Sequence, residues 1–596
     1  MRVSDYIFNY ISQKTGVRDV FMLPGGGCMY LVDSLGKNKD LNYVCMLHEQ
    51  AAAIAAEAYA QNRNDLGVAL VTAGPGSTNA ITGVVGAWID STPLLILSGQ
   101  AKTEDLMTNR GVRQMGIQEV DIASIVSPIV KYVKCVTDPK SIPYELSKAV
   151  HLALSGRRGP VWLDIPLDVQ GADIEPDRLP IYIPESNDRI NYSDAAKQII
   201  QELKKSSRPA VYVGNGVRSA NAIPEFIEMV EKLQIPVLTS WKAADYLPEN
   251  HPLYVGRPGM VGQRGANFVL QTCDCLLILG TRLDLSQTGF NAPHFAFNAR
   301  KIMVDIDRAE IEKLDIDFTL SFPLDSGEVI RAILKENIEK LNSQAFLEKG
   351  KNWQARYPVI LPDYLDENRS KVNLYHLIEV FSKLLGKGDL LIPGSSGACA
   401  EVTMQAIKVR EGLRIHNTPG LGSMGFGLPA AIGGCIASGF KRTIGIIGDG
   451  GLQHNIQELE TLRRLNLPIK MFVLNNNGYG SIYNMQMGRF DGHLVACNPD
   501  SGLTVPDLER IAYAYHLTFC RIEKPFSLEQ QVEKALETPG TVLCEVMIDP
   551  SVLTSPRLAS KALSDGRMES QPLENLAPFL SEEEFLNNMI IPPSED

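Results

Sequence analysis

Thr443-Ile444-Gly445-Ile446-Ile447-Gly448-Asp449-Gly450-Gly451 and, one helical stretch later, Ile469-Lys470-Met471-Phe472-Val473-Leu474-Asn475-Asn476-Asn477-Gly478 decide how this chain is read. Each is a short apolar run ending in glycine and small polar residues, the pattern of a buried parallel strand and the loop beyond it. Between them, Ile456, Leu459, Leu462 and Leu465 form one stripe and predict a helix over Asn455–Leu465. The glycines let backbone N–H groups approach a phosphate at a helix N-terminus. Asp449 and an asparagine amide 27 positions later are hard oxygen ligands of the kind magnesium takes together with diphosphate oxygens and water. The alternative is a pair of tight turns capped by Asx side chains; the combination of both loops around one helix favours the diphosphate–metal site.

The same strand-then-glycine unit recurs along the chain. The first third has Val20–Leu23 before Pro24-Gly25-Gly26, Tyr43–Leu47 before His48-Glu49-Gln50, Val68–Val71 before Gly74-Pro75-Gly76, Leu94–Leu97 and Val161–Leu163. The middle third has Ala210–Val213 before Gly214-Asn215-Gly216, Pro236–Leu238, Leu276–Leu279 before Gly280-Thr281-Arg282, and Ile302–Val304 before Asp305. The last third adds Leu390–Ile392 before Gly394-Ser395-Ser396, and Thr541–Val546. Three such sets predict three α/β domains, each a doubly wound parallel sheet, over 1–185, 190–345 and 370–555. A C-terminal segment, 556–596, has no strand pattern, and its Phe579, Phe585 and Met589 predict packing on the body. In open parallel sheets ligands sit beyond the carboxyl ends of the strands, so these loops are the candidates for chemistry.

Composition agrees with several globular domains. The chain has 596 residues, beyond the ~250–300 at which single cores stop growing. It carries a net charge of −12 and no basic tract, which argues against a nucleic-acid or anionic-membrane surface. No stretch of ~18 apolar residues occurs, and Met1–Val20 reads as an amphipathic helix without the apolar centre of a secretory signal. Ten scattered cysteines lack zinc-ribbon spacing, and Cys273 and Cys275 read as buried strand residues. The expectation is a soluble cytoplasmic protein with reduced thiols.

Gly448-Asp449-Gly450 followed by Asn475-Asn476 resembles the signature of thiamine-diphosphate (ThDP) enzymes. Pro24-Gly25-Gly26, His48-Glu49-Gln50, Gly74 through Asn79, Gln118-Glu119 and Gly422 through Gly427 match, in order, the branch typified by the acetolactate synthase large subunit. The resemblance runs over nearly the whole chain and implies a pyrimidine-binding, a middle and a diphosphate-binding domain. It implies that Glu49 hydrogen-bonds the coenzyme's aminopyrimidine and so activates its thiazolium carbon. It assigns Met424 to wedging the coenzyme into its bent form. Gly25, Gly26, Asn79 and Gln118 then lie near the thiazolium and the reacting acid. Gly394, Ser395, Ser396, Gly448, Asp449, Gly450, Gly451, Asn476, Gly478 and Tyr479 surround the diphosphate, and Asp449, Asn476 and Gly478 hold Mg2+. Gly394-Ser395-Ser396 departs from the synthases, which carry Gly-Gln-His there. The family places the glutamate on one subunit and the metal on its neighbour, which implies a homodimer or homotetramer.

The synthases also hold FAD in the middle domain, and Gly214, Gly216, Thr239, Arg282 and Asp305 match its contact segments. A site that has decayed or takes another nucleotide is the alternative, since Gly259 through Gly262 and Arg282-Leu283-Asp284 follow the pattern only in part. The implied reaction is decarboxylation of pyruvate, or a close 2-oxo acid, with transfer of the acyl group to a carbonyl acceptor. Paired histidines of the decarboxylases are absent. Where the biosynthetic synthases carry an acceptor-pocket tryptophan, counting from Asn476 gives Met485. The C-terminal segment resembles relatives associated with bacterial surface-sugar synthesis, so acyl transfer to a nucleotide-linked keto-sugar stands beside acetolactate formation. Simple decarboxylation, cyclic diketone hydrolysis and coenzyme binding without turnover are the remaining readings.

Overall fold

The computed structural model describes residues 1–108, 110–185, 190–394, 397–562 and 568–590. Ser395 and Ser396 lie outside the described residues.

Eighteen strands form three six-stranded sheets, parallel throughout. The first contains β1 (Asp19–Met22), β2 (Asn42–Cys45), β3 (Gly67–Val71), β4 (Leu94–Gln100), β5 (Tyr132–Cys135) and β6 (Pro160–Pro166), in the order β2-β1-β3-β4-β6-β5. The second contains β7 (Pro209–Val213), β8 (Val237–Thr239), β9 (Tyr254–Gly256), β10 (Cys275–Leu279), β11 (Arg300–Val304) and β12 (Leu320–Phe322), in the order β12-β11-β10-β7-β8-β9. The third contains β13 (Leu390–Pro393), β14 (Arg414–Ile415), β15 (Thr443–Gly448), β16 (Ile469–Asn475), β17 (Thr518–Ile522) and β18 (Val542–Met547), in the order β14-β13-β15-β16-β18-β17. The outer sheets thus share one topology, and the middle sheet has the dinucleotide-binding order.

In each sheet the winding reverses beside its first strand, and a crevice opens beyond the strand ends at that point. In the first sheet the reversal lies between β1 and β3, where Gly25 and Gly76 stand. In the second it lies between β7 and β10, at Gly216 and Gly280. In the third it lies between β13 and β15, at Gly394 and Asp449. The sequence motifs therefore fall at all three reversals.

Four helices carry or brace the loops of these crevices: α1 (Glu49–Arg63), α2 (Ala398–Ala406), α3 (Gly427–Ala437) and α4 (Gly480–Arg489). The alanine face of α1 packs on α3 in one core shared by the first and third sheets. A methyl group on Gly433 would lie 2.0 Å from the Ala55 carbonyl oxygen, so the two backbones touch.

Two expected elements end differently. The N-terminal helix is Val3–Lys14, and the chain turns before β1. The helix expected over Asn455–Leu465 begins only at Leu459, after a 3-10 stretch from Gln453 to Glu458 broken at Asn455. The break has a physical cause: buried Asn455 turns its amide to the Gly425 carbonyl (2.8 Å), and Glu458 accepts from the Leu47 N–H (2.9 Å). These tertiary bonds outweigh the helical pattern.

Residues after β18 cross from the third sheet to the second. Arg264 donates to the carbonyls of Leu576 and Pro578, Asn267 donates to that of Leu573, and Glu574 meets His294 at 2.9 Å. Cys273 and Cys275 are buried in the middle core. Among the described residues no helix is long and apolar enough to cross a membrane.

Candidate active site

Glu49 opens α1, directly after β2. His48 caps the helix by accepting the Gln50 N–H at Nδ1 (3.1 Å), leaving the Glu49 side chain turned into the crevice of the first sheet. It is 7% exposed, and its Oε2 accepts from the Asn79 amide (3.0 Å). A methyl group on Gly76 would stand 3.2 Å from the other carboxylate oxygen. Thr72, at the end of β3, lies against both Gly25 and Gly76, and its hydroxyl accepts the Gly27 N–H (3.2 Å). Thr72 is the organising side chain that sequence reasoning missed; its only signal was its place between a strand and the Gly74-Pro75-Gly76 turn. Gln118 is exposed, in a left-handed conformation (φ 56°), and its carbonyl rests on Gly74. Glu119 ties this loop by accepting the N–H groups of Met115 and Gly116, both at 2.9 Å.

In the third sheet Asp449 is 1% exposed. Its carboxylate accepts only backbone donors, from Gly450 (2.8 Å) and Gly478 (3.0 Å). Burial pushes its pKa up to about 6, against these N–H groups, which lower it. Beside it the Asn476 Oδ1 is buried with no hydrogen-bond partner. A buried carboxylate with no cation and an amide oxygen with no donor are two oxygens prepared for a divalent ion. Among the described residues no three His, Cys, Asp or Glu side chains form a group that could hold a metal ion, so an ion here would draw its remaining ligands from backbone oxygen, such as Gly478, and from its own partners. The Tyr479 ring lies on Gly450, while the space above Gly448 is open for 4 Å. These residues fit a magnesium diphosphate. The loop bearing half-buried Met424 is docked on the same segment through Gly425 and Asn455.

The crevice of the middle sheet is a cavity of about 520 Å3. Gly216, Gly280, Thr281, Arg282 and Asp305 line it, as do Arg157, Lys242, Ala400 and Glu401 from outside the middle sheet. Gly214 and Thr239, expected with them, are not among its lining residues. Gly214 lies behind, because a methyl group on it would meet the Gly280 carbonyl oxygen at 2.4 Å. Gly280 has φ 55°, a conformation open to glycine, which lets the loops after β7 and β10 close on one another. Burial pushes Asp305 up to about 6. Arg157 pairs with Asp307 (2.7 Å) and Glu310 (2.6 Å) at the rim. Nothing in the local sequence marked Arg157 or Lys242.

Two crevices of like topology, one holding a buried glutamate and the other a buried aspartate beside an unpartnered amide oxygen, define a class. The family description "Thiamine pyrophosphate enzyme, N-terminal TPP binding domain" matches residues 1–125, the central domain 196–333 and the C-terminal TPP binding domain 395–546. The chain belongs to the thiamine pyrophosphate enzymes, in their acetolactate synthase-like branch. It is 34% identical over 578 residues to the acetolactate synthase large subunit of Cyanidium caldarium, covering 94% of each chain. It is 33% identical over 556 residues to the acetolactate synthase isozyme 3 large subunit of Escherichia coli K12, covering 90% of this chain and 93% of that one. A probable acetolactate synthase large subunit of Methanococcus aeolicus is 33% identical over 553 residues, covering 90% of each.

Proposed function

We propose that the chain is a ThDP- and magnesium-dependent carboligase that decarboxylates pyruvate, or a close 2-oxo acid, and transfers the acyl group to a carbonyl acceptor. The observation that carries this reading is the buried Glu49 carboxylate, fixed by Asn79 at 3.0 Å at the mouth of a switch-point crevice. When bound, ThDP supplies a nucleophilic carbon and a sink for the electrons released with CO2.

The chain's own residues do the rest. Glu49, shielded from water, holds a proton against a ring nitrogen of the coenzyme, and Asn79 keeps its carboxylate oriented. Asp449, Asn476 and the Gly478 carbonyl hold the magnesium, and the N–H groups around Gly448–Gly451 receive the diphosphate. Met424 would support the coenzyme from the loop docked on Asn455, and Gln118 would face the reacting acid. The cavity of the middle sheet fits a flavin or adenine nucleotide, with Arg282 toward a phosphate and Asp305 toward a ribose. Assembly as a homodimer or tetramer is supported by Tyr43, Leu47 and Ile117, which flank the glutamate loop and are 59%, 47% and 91% exposed. A keto-sugar nucleotide as acceptor is the second reading. It is supported by α4, which buries no residue and leaves Met485 44% exposed.

The test is incubation with ThDP, Mg2+ and pyruvate, alone and with a panel of carbonyl compounds, followed by mass analysis of products. Acetolactate or an acyl adduct is expected. Acetaldehyde alone would make the protein a decarboxylase, and no CO2 release with any acceptor would overturn the proposal. Flavin absorbance of the purified protein decides the occupant of the middle cavity.

A further inference from the structure

Helix α2 begins at the proposed diphosphate site and ends against a residue of the middle domain. Its N-cap, Gly397, packs on Ser481 of α4, and the Cys399 thiol in its first turn meets the Gly448 backbone and lies against Gly394. Ala400 and Glu401 of the same turn line the middle cavity. About 13 Å further on, the helix runs out of intrahelical donors, and its last carbonyls need partners.

Those partners come from one buried guanidinium. Arg257, 1% exposed and just beyond β9, donates from Nε to the Met404 carbonyl (2.8 Å) and from Nη2 to those of Ile407 (2.6 Å) and Gln405 (3.5 Å). Its Nη1 donates to the Tyr254 hydroxyl (2.7 Å), and the Glu249 carboxylate stands 3.9 Å away. The negative end of a helix favours a cation there, and a buried charge persists only where its donors are taken up. Gln405 extends the joint. Its amide donates to the carbonyls of Gly262 (3.1 Å) and Pro556 (2.6 Å), and its Oε1 accepts from Tyr375 (2.8 Å). The same hydroxyl accepts the Ser555 N–H (2.8 Å) and shares its one proton between Gln405 and the Ser555 carbonyl, 2.9 Å away. The loop from Arg257 to Gln263, whose Pro258 through Val261 line the cavity, is thereby fastened to the far end of α2 and to the C-terminal segment.

We propose that Arg257 is a positioning residue for the coenzyme: by clamping the C-terminal end of α2 it fixes the first turn against Gly394 and Gly448, and so sets affinity for the diphosphate. This rests on reading the Gly448–Asp449 and Asn476 loops as the coenzyme site. The lever is a rigid helix with both ends engaged, and variants along such an element shift coupling by modest factors.

The experiment is titration of the full-length protein with ThDP at saturating Mg2+, alongside steady-state kinetics. Arg257→Met, similar in length but without donors, is expected to weaken ThDP binding about tenfold while kcat at saturating ThDP stays within about twofold. Arg257→Lys, which keeps the cation, recovers part of the loss. Tyr375→Phe removes one hydroxyl of the same joint, is expected to weaken binding about threefold, and carries the test if Arg257→Met does not fold. Unchanged ThDP affinity in the folded variants, or a fall in kcat with affinity intact, overturns the clamp. A wild-type protein that binds no ThDP overturns the coenzyme reading itself, which the same titration shows separately.

Discussion

Glu49 and Asp449 are both buried carboxylates near helix N-termini, yet their surroundings give them different work. Glu49 has one amide donor and an open crevice ahead of it, an arrangement suited to sharing a proton. Glu49→Gln is expected to lower turnover with pyruvate by about 10²–10⁴-fold while ThDP still binds; wild-type turnover in that variant would remove Glu49 from the mechanism. Asp449 has backbone donors and an unpartnered amide oxygen beside it. Asp449→Asn removes a carboxylate whose burial the backbone N–H groups offset only in part. Without Mg2+ the variant is expected to melt no lower than wild type, while losing the added stability that Mg2+ and ThDP give. Its Mg2+ affinity should fall at least about 100-fold, since even outer-shell changes cost 10–100-fold. A variant that melts lower but retains the Mg2+ response would make Asp449 a purely structural residue. Sequence alone put these two residues at strand ends. It did not show Thr72 against Gly25 and Gly76, because Thr72 is part of no motif.

At the scale of elements, the contact between α1 and α3 is the tightest place to probe. Alanine at seven of the fifteen positions of α1 lets the Ala55 carbonyl approach Gly433 until no side chain fits between. Gly433→Ala forces the helices apart and is expected to destabilise by about 1–3 kcal/mol, read as a lowered denaturant midpoint. An unchanged midpoint would mean that the helices slide freely. The same scale holds the clearest difference between pattern and structure. Ile456 through Leu465 has the apolar spacing of one continuous helix, yet Asn455 and Glu458 bond to Gly425 and Leu47 instead of completing it. A periodicity reading cannot foresee a bond to a residue over 400 positions away. It can foresee that a helix exists nearby, which it did.

At the scale of the molecule, buried polar groups join the three sheets. Glu57 on α1 is 2% exposed, and burial pushes its pKa up to about 7 despite Lys242 nearby. Gln61 and Thr92 donate to its Oε1, Asp90 adds a like charge, and His416 stands 3.8 Å from its other oxygen. In the unfolded chain this carboxyl ionises near its ordinary value of 4.5. Its favourable contribution is therefore complete below about pH 4.5 and is lost as pH rises through about 7. Glu57→Gln should flatten that part of the stability profile; denaturation midpoints measured from pH 4.5 to 8 that fall in parallel for both proteins would refute it. The C-terminal segment makes a second whole-molecule link. Removing residues 556–596 takes away the buried partners that the segment supplies to Arg264, Asn267, Gln271 and His294. The middle domain is expected to melt separately and earlier than the rest, as a new calorimetric transition. A single unshifted transition would show the segment to be dispensable.

Local and repetitive features were legible from the residues alone: apolar runs of strand length, the glycines that end them, and the carboxylates and amides carried on those ends. These arise from the chain's own periodicity and from backbone chemistry that operates within a few residues. Strand order, and with it which loops share a crevice and which side chains support them, emerged only from the folded molecule. Thr72 against Gly25 and Gly27, Arg257 at the far end of α2 and Arg157 at the cavity rim each come from a distant segment. Contacts between segments 45 to 150 positions apart depend on how sheets wind and dock, and no local pattern carries that information.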